Sequence, residues 1–103
     1  MTRARFVTPA RQEFLEQIEH YEREEAGLGA RFVAAVEEAT ARALAFPLAG
    51  SIASKSTRRV YLKRFPFVLV YRMDEDGIVV FAVAHHAPKP GYWRARGGGV
   101  IAN

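Results

Sequence analysis

Apolar residues along the chain change period once, from helical in the first half to alternating in the second. Arg3–Val7 is a short, β-prone opening. Thr8-Pro9 predicts an N-cap followed by proline at the first helical position. Phe14, Ile18 and Tyr21, flanked by Leu15, then form a helical stripe, with Glu13, Glu16, Glu19 and Glu22 on the wet side. Ala26-Gly27-Leu28-Gly29 stops that helix, because glycine tolerates the left-handed backbone at a helix end. A second stripe at Phe32, Val36, Ala39 and Ala43 runs to Phe46-Pro47. Its many alanines allow close approach to a neighbour. Two helices of about 17 residues joined by a short glycine link predict an antiparallel helical hairpin.

Residues 47–57 are expected to be loop. The period then becomes two: Arg59, Tyr61 and Lys63 point one way, Val60 and Leu62 the other. Phe65-Pro66 breaks this strand and Phe67–Arg72 begins the next. Asp74-Glu75-Asp76-Gly77 reads as a hairpin turn of the Asp-Gly type. Ile78–Ala84 is almost continuously apolar, which predicts a central strand covered on both faces. The order is β-α-α-β-β-β: an α+β fold with the helical hairpin packed on one face of a small antiparallel sheet. Residues 1–96 are expected to form a single domain and 97–103 a flexible C-terminal tail.

The chain has 103 residues, half of them apolar, which suits one small core. No stretch approaches the roughly 20 apolar residues that cross a bilayer, and the first residues lack the apolar core of a secretory signal. A cytoplasmic location is therefore expected. Without cysteine there is no disulfide, no thiolate-held zinc and no thiol nucleophile. Charge separates along the chain. Residues 1–50 carry six arginines against eight glutamates, whereas residues 51–103 carry nine basic residues against three acids. A basic half beside a mildly acidic one suggests a basic face for an anionic partner, either nucleic acid or an acidic peptide; the competing reading is a solvated, arginine-rich surface.

Candidate chemistry concentrates in that basic half. Arg58, Arg59, Lys63 and Arg64 interleave with Tyr61 and Phe65, so cations could hold phosphates while a ring stacks on a base. The same charges would also protect an edge strand from aggregation. His85-His86 ends the last strand. Adjacent strand residues face opposite ways, so the pair cannot bind a metal by itself, although one imidazole could move a proton. Pro88-Lys89-Pro90-Gly91-Tyr92-Trp93-Arg94 follows as a rigid loop with aromatic and basic side chains. Gly97-Gly98-Gly99 lacks the Lys-Ser/Thr of a phosphate-binding loop. No spacing of metal ligands or nucleophile elbow is present, and neither a metal nor a cofactor is expected.

Taken together, these residues resemble the RelE/ParE superfamily of toxins from bacterial type II toxin–antitoxin systems. The resemblance rests on Phe14…Ile18…Tyr21, Gly27-Leu28-Gly29…Arg31-Phe32, Phe46-Pro47, Arg59, Phe65-Pro66-Phe67 with Tyr71, and Ala84-His85-His86…Pro90-Gly91-Tyr92-Trp93-Arg94. It runs from about residue 4 to residue 96 and looks closest to the ParE-like, plasmid-stabilisation branch.

The resemblance implies a cytoplasmic toxin neutralised by an antitoxin whose acidic or amphipathic segment folds around it. Phe14, Ile18, Tyr21 and Tyr61 are then the expected partner-binding residues. ParE-like members resemble inhibitors that bind DNA gyrase. RelE-like members resemble ribosome-dependent, metal-independent mRNA endonucleases. In the nuclease version His86 or Tyr92 would transfer protons, and Arg59, Lys63, Lys89 and Arg94 would hold phosphate or target. Many relatives place arginine between the last motif's histidine and proline. Here Ala87-Pro88-Lys89 stands in that place, which favours the gyrase version. A third version is a non-toxic member that only binds its antitoxin.

Overall fold

The computed structural model describes residues 3–86 and the backbone of residues 101–102. The element order is β1 (Arg3–Val7), α1 (Thr8–Glu24), α2 (Leu28–Ala45), β2 (Ser51–Ile52), β3 (Arg58–Tyr61), β4 (Phe67–Asp74), β5 (Gly77–His85) and β6 (Ile101–Ala102). The six strands form one sheet in the order β2-β3-β4-β5-β1-β6. The expected α+β architecture with a helical hairpin is present.

The hairpin forms where the apolar period places it, and its details follow from contacts the period does not reveal. Val7, in extended backbone, occupies the cap position before α1, one residue earlier than Thr8. Pro9 sits in the first turn, where its missing N–H costs nothing. Gly27 adopts φ 90° ahead of α2. The Glu22 carboxylate accepts hydrogen bonds from the Gly27 and Gly29 N–H groups at 3.0 Å, satisfying donors that a helix start leaves open. A Cβ on Gly29 would lie 2.9 Å from the Ile18 carbonyl oxygen, so this glycine lets the helices meet. Of the α2 alanines, Ala39 and Ala43 are buried.

Phe32 is the hub of the core. It is fully buried, and the rings of Tyr21, Phe65 and Phe67 each lie 5.2 Å from its own. Phe65 therefore packs on the helix side and does not join the basic strand as an interleaved ring.

β5 is central between β4 and β1, and Ile78–Ala84 is buried throughout, as its apolar run predicts. The sheet is mostly antiparallel, but β1 lies parallel to β5, with Arg5 beside Val79 and Phe6 beside Val80. A parallel neighbour needs a long crossover, and everything from α1 to β4 lies between these two strands. The β4–β5 turn has Glu75-Asp76 at its centre, with Asp74 facing Gly77. Gly77 opens β5 at φ 143°, where a Cβ would lie 2.1 Å from the Arg3 carbonyl oxygen. That glycine admits β1.

Two segments expected to lack regular structure contain short strands. Ser51–Ile52 pairs with β3 inside the 47–57 loop, and Ile101–Ala102, within the expected tail, pairs with β1.

Candidate functional site

β3 carries the basic surface. Arg59 lies opposite Val70, which faces Ala82, and Tyr61 lies opposite Val68, which faces Ala84. Val60, paired with Leu69, turns to the helices. Strict alternation therefore sends Arg59 and Tyr61 to the face away from the helical hairpin. Tyr61 is 49% exposed. Arg59 is half-buried, and its side chain makes no hydrogen bond or ion pair among the described residues.

His86 joins them. It lies two residues beyond Ala84, and its ring centroid is 6.1 Å from that of Tyr61. Its backbone N–H donates to the Pro66 carbonyl at 3.1 Å, which fixes the chain as it leaves β5. His85 turns the other way, with its ring 4.3 Å from Phe67 on the helix side. Opposite faces for the two histidines follow from strand geometry. Among the described residues no group of three or more histidine, aspartate or glutamate side chains could hold a metal ion.

Lys63 does not line this face. β3 ends at Tyr61, Leu62 is buried, and Arg64 adopts a left-handed φ of 68°. The alternation that would align Lys63 with Arg59 has stopped, and its Nζ sits 3.9 Å from Glu38 Oε2 on α2. Glu38 also accepts from Arg42 Nε at 2.7 Å and Nη2 at 2.9 Å. The Arg42 hydrogen bond, with the Arg42 and Lys63 charges, holds the Glu38 carboxyl below its usual range despite some desolvation. Arg42 Nη2 further donates to the Tyr61 carbonyl at 2.7 Å. Helix α2 thereby anchors the strand end that presents Tyr61.

The expected partner-binding residues do not form one surface. Phe14 stacks on Phe6 at 6.0 Å, and Tyr21 lies 5.0 Å from Phe65. These two and Ile18 are half-buried against the core under the hairpin. Burial, and then the Glu24 charge, push the Tyr21 hydroxyl above its usual pKa. Tyr61 stands across the sheet from all three. Lys89, Tyr92 and Arg94 lie outside the described residues.

The same face extends to cations absent from the sequence-based set. Arg5 on β1 and Arg72 on β4 both lie opposite Val79 on β5. Arg5 Nη2 donates to Asp74 Oδ2 at 2.5 Å, while Arg72 lies 5.2 Å from the centre of the Phe81 ring. The signal for Arg5 was its spacing from Arg3 in a strand. Its relevance depends on β1 lying beside β5, a pairing between distant parts of the chain.

Chemically, the face offers cations, one phenol and one imidazole flanking an apolar sheet centre. It suits an anionic partner. A comparison with protein families matches residues 5–90 to the ParE toxin of the type II toxin–antitoxin system parDE. No individual curated protein matches the chain. The family match covers most of the sequence and its whole helical hairpin and central sheet, and the chain belongs to the ParE toxin family of type II toxin–antitoxin systems.

Proposed function

We propose that this toxin acts in the cytoplasm by binding and inhibiting DNA gyrase, is neutralised by a cognate antitoxin, and serves plasmid stabilisation. The family implies an antitoxin protein as partner. The observation that carries the target reading is the pairing of Arg59 and Tyr61 on one face, with Arg59 uncommitted among the described residues. A cation and a phenol presented together by a rigid strand serve recognition of an acidic or nucleic-acid-bound surface. Lys63, one of the four residues expected to hold phosphate or target, lies 3.9 Å from Glu38 Oε2 instead of beside Arg59. Arg94 and Lys89 complete the proposed target-binding set.

The second reading is a metal-independent mRNA endonuclease, favoured by the approach of His86 to Tyr61. There His86 or Tyr92 would move protons and Arg59 would hold the phosphate. Pulse-labelling of DNA and protein synthesis within minutes of inducing the chain alone separates the two. The gyrase reading expects DNA synthesis to fall first while translation continues. If translation stops first, and His86→Ala or Tyr92→Phe abolishes the arrest, the nuclease reading replaces it. If neither synthesis is affected, the chain is a non-toxic binder of its antitoxin.

A further inference from the structure

Where α2 ends against the edge of the sheet, a cavity of about 220 Å³ lies between the helix and β3. β2 pairs with β3 only at Arg58 and Arg59, so Val60 and Tyr61 have no strand on their outer side. Ala43, Val60 and Tyr71, all buried, give the cavity apolar walls. Phe46 also lines it and is 68% exposed, an unusual position for a large ring on a surface with no partner. The turn that carries this ring is rigid. The Phe46 N–H donates to the Arg42 carbonyl at 2.9 Å, and the Phe46 carbonyl accepts from the Ala49 N–H at 3.0 Å. Tyr71 donates its hydroxyl to the Pro47 carbonyl at 2.7 Å, and Arg58 Nη1 donates to the Leu48 and Gly50 carbonyls at 3.1 and 2.8 Å. A wall already tied down loses little freedom when a partner covers it.

Backbone bonding, size and charge define the occupant. Arg42 Nη2 takes the Tyr61 carbonyl at 2.7 Å, an acceptor that an added strand would need, so this edge is closed to strand pairing. Pockets for nucleotides and cofactors usually run from about 300 to 1,000 Å³, so the space suits a single large side chain. No acidic side chain lines the cavity among the described residues. Of its two arginines, Arg42 is paired with Glu38, which leaves Arg59 to meet an outside anion. Arginines and exposed aromatic rings around one concavity are also the groups in which binding energy concentrates at protein interfaces.

We infer that this cavity anchors the target: it takes one large apolar side chain from the target's surface, while Arg59 meets a carboxylate beside that side chain. The identity of the target rests on the gyrase reading above; the preference for an apolar group next to a carboxylate does not.

The test titrates the purified full chain with phenylpropionate and, separately, with phenylpropylamine, followed by amide NMR. Phenylpropionate is expected to shift the Ala49, Val60 and Tyr61 amides and to bind about tenfold more tightly than the amine. Phe46→Ser and Arg59→Gln should each weaken it severalfold, with unchanged circular dichroism as the check on folding. Supercoiling by DNA gyrase is measured alongside, and Phe46→Ser is expected to lose about tenfold in inhibition relative to the unaltered chain. No binding, equal binding of the two probes, or shifts elsewhere would overturn the inference. So would full inhibition by Phe46→Ser, because the target then binds without the cavity. Self-association of the chain abolished by Phe46→Ser would make a second copy the occupant and overturn it as well. Absence of inhibition by the unaltered chain defeats the gyrase reading, and the NMR titration still decides for or against the cavity.

Discussion

Arg5 and Asp74 show how a single ion pair ties distant chain segments together. Arg5 belongs to the first strand and Asp74 to the end of β4, and their side chains meet at 2.5 Å beside the turn where β5 begins. The Arg5 hydrogen bond, aided by the Asp76 and Gly77 backbone N–H groups and the Arg5 charge, holds the Asp74 carboxyl below its usual range against a smaller desolvation effect. A carboxyl with a depressed folded-state pKa contributes stability that is fully present above its unfolded value and is lost as pH falls through the folded value. Stability of the unaltered chain should therefore decline from about pH 3.9 downward, and the Asp74→Asn variant should lose less over that range. Urea midpoints across the acid range check this. An equal decline in both proteins would remove Asp74 from the account. At the same scale, Lys63 shows where residue patterning misleads. Alternation assigns it to the Arg59 face only if the strand continues, and the strand ends two residues earlier.

At the scale of elements, the hairpin and sheet depend on polar side chains that complete backbone bonding. β1 pairs with β5 only as far as Phe6 opposite Val80, after which the chain turns into α1. The Val83 N–H further along β5 would then face a missing neighbour, and Glu13 Oε1 accepts it at 3.1 Å. Glu13 was expected on the wet side of its helix; it is instead half-buried and spliced onto the sheet. Glu13→Ala leaves a buried donor unpaired and should cost about 1–3 kcal/mol. The checks are the urea midpoint and faster exchange of the Val83 amide; an unchanged Val83 exchange rate would contradict this role. The helices, β4 and β5 were legible because long amphipathic or apolar runs dictate them locally. β2 was not, since two residues carry no period and their pairing depends on a loop pinned by Arg58. The parallel place of β1 was equally hidden, being decided by strand pairing across most of the chain.

At the scale of the whole molecule, the helices cover one side of the sheet and leave β3 to present Arg59 and Tyr61 on the other. The fold and the toxin family were legible from the order of motifs along the sequence, and the family match spans residues 5–90. Of the expected site residues, Arg59, Tyr61 and His86 come together. Phe14, Ile18 and Tyr21 serve the core beneath the hairpin. Their helical stripe carried the apolar signal of a buried face, which sequence alone does not distinguish from a binding face. The proposed action is binding, so its most direct test uses purified components. Supercoiling by DNA gyrase is measured with the unaltered chain and with Arg59→Glu, beside mRNA integrity in a ribosome-based translation reaction. The account predicts that the unaltered chain inhibits supercoiling, that Arg59→Glu weakens inhibition by about tenfold or more, and that mRNA stays intact. Undisturbed supercoiling together with mRNA cut on the ribosome would contradict it.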